Sequence, residues 1–171
     1  MMIAETERLR VRYLRDDDFQ EMHALCSDPL AMRFMGDGST LTAEQVTTWI
    51  EKSQWNYQDH RFGCFAVETR AERQFVGFCG LVYPHEHQNH VEIIYAFSQP
   101  HWGKGYATEA ARAVLDYGFT RCNLPRIVAT IVPANTASRR IAEKLGMRFV
   151  GIVQDAGEDV AFYELLNPQQ H

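Results

Sequence analysis

Short apolar segments recur along the chain and are separated by polar or glycine-containing turns. In residues 8–14 apolar and polar side chains alternate, which is the period of two expected of a strand with one buried face. We predict strands in seven segments, at residues 8–14, 62–68, 75–83, 92–97, 126–132, 149–154 and 160–166. The last two segments follow each other closely and indicate a closing hairpin.

Four other segments have the marks of helices. Residues 16–26 begin with acidic side chains, which favour a helix N-terminus, and residues 41–56 contain Thr42 as an N-cap. A fourth helix is bounded by Asn135, a good N-cap, and Gly146, a good C-terminal stop. The third begins near Tyr106, and its apolar face consists of Ala107, Ala110, Ala111, Val114, Leu115 and Gly118. Because helices alternate with strands only in parts, we predict a mixed α/β sheet.

Length and composition predict one domain over residues 1–171, since a chain that is 46% hydrophobic can build a substantial core. No run is apolar enough to span a membrane, and the charges within the first ten residues argue against a signal peptide. Cys26, Cys64, Cys79 and Cys122 form no C-x-x-C pair. We therefore expect a cytoplasmic protein with reduced cysteines and no membrane partner.

The formal net charge of −5 argues against a nucleic-acid partner. The charge is unevenly distributed. Residues 99–148 contain eight Lys/Arg and three Asp/Glu, so the rest of the chain has a net charge of −10. A basic half suits a phosphate-bearing ligand, and an acidic remainder suits a cationic amine.

The most informative segment, His101–Ala110, reads HWGKGYATEA and joins a predicted strand to a predicted helix. Gly103 and Gly105 let the backbone approach a ligand closely, and the helix N-terminus that follows offers unpaired N–H groups and a positive dipole end. These features predict a phosphate site. The segment is not a P-loop, because Gly105 is followed by Tyr106, and it is not the dinucleotide fingerprint, because Thr108 stands where the third glycine is needed.

This segment resembles the pyrophosphate loop of the GNAT (Gcn5-related) N-acetyltransferases, and it is most similar to the RimJ/RimL-type branch that acetylates ribosomal-protein N-termini. Pro100 stands where the family usually has Gln or Arg, and Asn135 and Ser138 match the family's Asn-x-x-Ser/Tyr helix beside the CoA arm. The resemblance implies a GNAT fold over nearly the whole chain, with a mostly antiparallel sheet of about seven strands and about four helices. It also implies an acetyl-CoA site, without a metal, at Phe97, Trp102, Gly103, Lys104, Gly105, Tyr106, Ala107, Thr108, Asn135 and Ser138.

The family's mechanism, as the resemblance implies it, is direct attack of an amine on the thioester. It agrees with the lack of a recognisable nucleophile motif here. Glu92 matches the position where many members carry an acid and is our candidate general base, with His90 and a water chain as alternatives. The oxyanion would be held by a backbone N–H near residues 94–96, where the family has a β-bulge. Ser138 would donate a hydrogen bond to the leaving sulfur.

The acceptor stays open between a small-molecule amine and a protein or peptide N-terminus. Several side chains lie near the helices that wall the family's acceptor pocket, and we expect most of them in the core: Phe34, Met35, Trp49, Trp55 and Tyr57. Residues 85–90 contain three histidines but no helical H-E-x-x-H, so we interpret them as a polar turn and expect no metal. A homodimer is left open. The alternative function is a non-catalytic acyl-CoA-binding or sensing module.

Overall fold

The computed structural model describes residues 1–84 and 89–170. Within these ranges the chain forms eight strands: β1 (Met2–Glu5), β2 (Leu9–Tyr13), β3 (Cys64–Thr69), β4 (Phe75–Val82), β5 (Val91–Phe97), β6 (Arg126–Ile131), β7 (Arg148–Asp155) and β8 (Glu158–Leu166). The same ranges contain five α-helices: α1 (Phe19–Cys26), α2 (Pro29–Met32), α3 (Ala43–His60), α4 (Tyr106–Thr120) and α5 (Thr136–Lys144).

The predicted mixed α/β sheet is confirmed, and the elements that the sequence did not predict are both short. β1 has four residues and α2 has four residues, so neither is long enough to show a hydrophobic period. The sheet therefore has one strand more than the predicted seven, and one helix joins the predicted four, in the part of the chain that the structure describes. The predicted caps are present: the Thr42 hydroxyl accepts from the Gln45 N–H at 3.2 Å, and Asn135 caps α5.

The strands form one sheet in the order β1-β2-β3-β4-β5-β6-β8-β7. Neighbouring strands are antiparallel except for β5 and β6, which are parallel. That single parallel pair lies inside the sheet and connects its N-terminal five strands to its C-terminal three. The site described below lies at this junction.

Helices cover both faces of the sheet. On one face α4 packs its apolar stripe, including Val114, against strand residues such as Ile127. On the other face α1 and α3 pack Met22 and Val46 against Phe78 of β4. Because both faces are covered, the central strands are buried on both sides and read as nearly continuous apolar runs. No helix within the described ranges is long and apolar enough to cross a bilayer.

Candidate active site

The two parallel strands separate towards their C-terminal ends. Only Val91 with Ile127 and Glu92 with Val128 are paired between β5 and β6, although β5 continues to Phe97 and β6 to Ile131. Each strand then leads through a loop into a helix, α4 after β5 and α5 after β6. We call the opening between residues 93–97 and 129–131 the β5–β6 cleft. Ligands of α/β proteins commonly bind beyond the carboxyl ends of parallel strands.

The loop between β5 and α4 has the geometry expected of a phosphate site. Gly103 (φ 73°) and Gly105 (φ 79°) both adopt the left-handed conformation that disfavours side chains. The indole Nε1 of Trp102 donates to the Phe97 carbonyl at 2.6 Å and fixes the start of the loop. A Cβ on Gly103 would meet no atom of the described chain within 4 Å, so this side of the loop is open. The loop therefore presents backbone to open space at the N-terminus of α4.

An ion pair between Arg8 and Glu109, which the sequence did not predict, supports the backbone of this loop. Arg8 donates from Nε to Glu109 Oε2 at 2.7 Å and from Nη1 to the Lys104 carbonyl at 2.8 Å. Glu109 also accepts from the Thr6 hydroxyl at 2.6 Å. Partial burial acts to raise the pKa of Glu109, but the hydrogen bonds from Thr6 and Arg8 outweigh it and hold that pKa below its usual value. Arg8 thus ties the loop backbone to the first turn of α4.

An open groove continues from Gly105 along the outward face of α4, with a volume of about 610 Å³. Its cationic side chains are Arg112 of α4 and Lys144 of α5. The two helices are joined there, because Arg112 Nη2 donates to the Lys144 carbonyl at 3.1 Å.

Glu92 lies on β5 at the base of the cleft and is only 7% exposed. Its Oε1 accepts from the Thr130 N–H at 3.1 Å and also from the Thr130 hydroxyl. These bonds cross from β5 to β6 at the point where the strands begin to separate, so they fix the orientation of the carboxylate. His90, the alternative base, immediately precedes β5, and its ring meets that of Phe162 edge-on at 6.0 Å.

Ser138 faces the cleft from the first turn of α5. Its N–H donates to Asn135 Oδ1 at 3.2 Å, as the capping pattern predicts. Its hydroxyl lies 2.6 Å from the hydroxyl of Tyr95 on β5. Burial raises the pKa of Tyr95 to about 12, although the hydrogen bond with Ser138 acts in the opposite direction. The phenol is therefore protonated at neutral pH.

The predicted β-bulge near residues 94–96 is not present. β5 pairs with β4 in continuous register from Glu92 opposite Val82 to Phe97 opposite Gly77. Ile94 continues the extended backbone in regular pairing with Gly80, so no extra residue is inserted into the strand there. Successive N–H groups along a strand point to opposite sides. Alternate N–H groups of residues 94–96 therefore still face the cleft, beyond the last pair with β6.

Of the residues assigned to the acceptor side, Tyr57 is buried, whereas Phe34, Met35 and Trp49 are only half-buried. Tyr57 stacks on Tyr13 with ring centroids 3.8 Å apart, and Trp49 meets Phe78 edge-on at 4.9 Å. Trp55, by contrast, is 64% exposed. Residues 85–88 of the predicted histidine-rich turn lie outside the described part of the chain, and elsewhere no group of three or more His, Cys, Asp or Glu could hold a metal.

Comparison with known proteins agrees with this arrangement. Residues 8–148 match the model of the acetyltransferase (GNAT) domain family. The chain is 35% identical over 161 residues to an uncharacterised protein, YkkB, of Bacillus subtilis, covering 93% of this chain and 92% of that protein. A GNAT-family acetyltransferase of known structure from Bacillus anthracis superposes with a TM-score of 0.82 at 31% identity, covering 98% of this chain and 99% of that one.

A relative with a named substrate is more distant. The spermidine N(1)-acetyltransferase of Escherichia coli is 27% identical over 143 residues, which cover 84% of this chain and 74% of that enzyme. From the family model and the relatives together, the chain belongs to the GNAT acetyltransferase family and is an acetyltransferase. Its place in the RimJ/RimL-type branch stays a prediction.

Proposed function

We propose that this protein transfers an acetyl group from acetyl-CoA to a primary amine by direct attack within a ternary complex. The observation that carries the proposal is the β5–β6 cleft: Glu92 lies at its base, Ser138 of α5 contacts Tyr95 of β5 beside it, and the glycine loop follows β5. Family membership supports acetyl-CoA as the donor. The acceptor class is supported only by analogy with the spermidine-acetylating relative.

In this proposal Phe97 at the end of β5 and residues 102–108 bind CoA, and the backbone N–H groups of Gly103 and Gly105 contact its pyrophosphate. The open backbone of Gly103 and the helix N-terminus after Gly105 suit an anion that needs several N–H donors. The pantetheine arm enters the cleft beside Asn135 and Ser138. The groove along α4 offers Arg112 and Lys144 to the remaining phosphate of CoA.

The acceptor amine must lose a proton before or during its attack on the thioester carbonyl carbon. Glu92 accepts that proton, directly or through a water, because its carboxylate is buried at the base of the cleft and held by Thr130. His90 is the alternative acceptor of the proton. A backbone N–H of residues 94–96 stabilises the oxyanion of the tetrahedral intermediate. The carbon–sulfur bond then breaks, and the electron pair leaves with the sulfur as a thiolate that Ser138 stabilises by a hydrogen bond.

Amine-dependent release of free thiol from acetyl-CoA tests the proposal. We expect turnover with at least one amine from a panel that contains spermidine, other small amines and peptides with free N-termini. Turnover with the small amines alone, or with the peptides alone, identifies the acceptor class. Tight CoA binding without amine-dependent thiol release from any of them would instead identify a non-catalytic acyl-CoA-binding module. A homodimer stays a prediction that sedimentation of the purified protein can test.

A further inference from the structure

A hydroxyl pair joins β5, one wall of the β5–β6 cleft, to helix α5. Tyr95 belongs to β5 and Ser138 to α5, and their oxygen atoms lie 2.6 Å apart. That distance lies within the usual range of O–H···O hydrogen bonds, about 2.5–3.0 Å. The strands have already separated at this depth, because their last pair is Glu92 with Val128. The two side chains therefore meet inside the cleft rather than within a continuous part of the sheet.

Only one hydrogen can lie between two hydroxyl oxygens. Whether Tyr95 or Ser138 supplies it determines which hydroxyl can still donate to a ligand. If Tyr95 donates, the Ser138 hydrogen is free to point elsewhere. If Ser138 donates, its hydrogen is consumed and it cannot reach a sulfur atom. A phenol is a stronger acid than an aliphatic alcohol, so it is the better donor of the two. The Ser138 N–H is already bound to Asn135, which fixes the serine at the start of α5.

We propose that Tyr95 is a positioning residue for thiolate departure, which donates its hydrogen bond to Ser138 and thereby directs the serine O–H towards the sulfur of the thioester. This inference rests on the proposed function. No bond to Tyr95 forms or breaks. The carbon–sulfur bond breaks, the electron pair goes to sulfur, and the hydrogen bond from Ser138 strengthens as the negative charge develops. A chain of two hydrogen bonds polarises each member, so the serine becomes a better donor than it would be alone.

The test compares Tyr95→Phe, Ser138→Ala and the double variant in the full-length protein, with acetyl-CoA and the amine that the parent enzyme uses. Because the interaction is made mainly in the transition state, Tyr95→Phe should lower kcat and kcat/KM together by about tenfold, with the KM for acetyl-CoA nearly unchanged. Ser138→Ala should lower both by at least as much. The double variant should be no slower than Ser138→Ala, because Tyr95 acts only through that hydroxyl.

Tyr117→Phe is the matched control. It also deletes a hydrogen-bonded tyrosine hydroxyl, which donates to the Arg61 carbonyl at 2.7 Å, but near the far end of α4. It should leave kcat at the parental value. Ser138→Thr retains a hydroxyl and should recover part of the rate that Ser138→Ala loses. A purely structural tie between β5 and α5 would instead lower the melting temperature of Tyr95→Phe and Ser138→Ala and leave kcat at the parental value.

Several results would overturn the inference. A parental kcat in Tyr95→Phe would do so, and so would losses that multiply in the double variant. If Tyr95→Phe does not fold, a parental kcat in Ser138→Ala would overturn it equally, because no hydroxyl would then be needed at the sulfur. These results differ from failure of the proposed function, in which the parent protein itself releases no thiol with any amine.

Discussion

Arg8, immediately before β2, and Glu109, in the first turn of α4, form an ion pair directly beneath the glycine loop. The Arg8 Nε to Glu109 Oε2 distance is 2.7 Å, and the same guanidinium donates to the Lys104 carbonyl at 2.8 Å. A surface ion pair alone contributes little to stability. Here its second bond reaches the loop backbone, so its effect should be on ligand binding more than on folding.

Arg8→Ala should therefore weaken CoA binding, because the Lys104 peptide loses its support and the loop samples other conformations. We expect about a tenfold loss of affinity, which corresponds to ~1.4 kcal/mol, as measured by calorimetry. Arg70→Ala is the control, since Arg70 makes a comparable surface pair with Glu5 at 3.2 Å. Equal CoA affinity in the parent and Arg8→Ala would show that the ion pair does not position the loop.

Gly105→Val should prevent CoA binding by placing a branched side chain where the backbone must approach the pyrophosphate. It also strains a residue at φ 79°. Gly157→Val carries the same type of strain, at φ 83° with no atom within 4 Å of the new Cβ, in the turn between β7 and β8. Both variants should melt at lower temperature than the parent, but only Gly105→Val should lose at least tenfold in CoA affinity. If Gly105→Val binds CoA with the parental affinity, the loop is not part of the CoA site.

Glu92→Gln should lower kcat by roughly 10²–10⁴-fold, the usual range for a general base, and should change the acidic limb of the pH–rate profile. The amide oxygen of Gln can still accept from Thr130, so the tie between β5 and β6 is retained and CoA affinity should hardly change.

Thr130→Val tests how much the hydrogen bond from the Thr130 hydroxyl to Glu92 contributes to catalysis. It keeps the Glu92 carboxylate and the Thr130 N–H bond but removes the hydroxyl bond. We expect kcat to fall by no more than about tenfold, a smaller loss than the one expected when a general base is removed. If Glu92→Gln has parental kcat and an unaltered pH profile, the proton acceptor is His90 or a water chain instead.

Stability should fall in acid because of a buried charge network around Arg12. Its guanidinium makes two 2.8 Å hydrogen bonds to Asp18 and one to Glu68. Burial acts to raise the pKa of Asp18, but the bonds from Arg12 and from the Arg15 N–H together outweigh it and hold that pKa below its usual value. A carboxyl whose pKa is lowered in the folded state stabilises the fold at any pH above its unfolded-state pKa of about 3.9. That stability is lost as the pH falls through the folded-state pKa.

Urea unfolding between pH 7 and pH 3 measures this contribution. The free energy of unfolding of the parent should fall as the pH falls. That of Asp18→Asn should be lower than the parent's at pH 7 and should depend less on pH. Asp17→Asn, at the exposed neighbouring position, should retain the parental pH dependence. Arg12→Leu should cost about 3–5 kcal/mol, because it leaves the buried Asp18 carboxylate without its cation, whereas Glu68 keeps its ion pair with Arg10. A pH dependence in Asp18→Asn equal to that of the parent would contradict this account.

Local patterns in the sequence predicted the parts of the site that depend on near neighbours. Asn135 and Ser138 are three residues apart, and their capping bond follows from helix geometry alone. The two glycines of the loop likewise lie between a strand and a helix, as the sequence predicted. The pattern of short apolar segments also predicted most of the sheet.

The contacts that sequence reasoning missed join residues far apart in the chain. Arg8 and Glu109 are separated by 101 positions, and Glu92 and Thr130 by 38. No periodicity links such pairs, since they depend on how strands of different parts of the chain align. The β-bulge was wrong for a related reason: only the family resemblance implied it, and Ile94 here stays in regular pairing with β4.

The short ladder between β5 and β6 also has a consequence for local opening of the native state. β6, α5, β7 and β8 come from the last part of the chain and join the rest of the sheet through only two residue pairs within the described ranges. Proteins exchange their amide hydrogens in cooperative units whose boundaries fall where contacts are sparse. This C-terminal unit should therefore exchange faster than β3 and β4, and a ligand that bridges the cleft should slow its exchange to match the rest of the sheet.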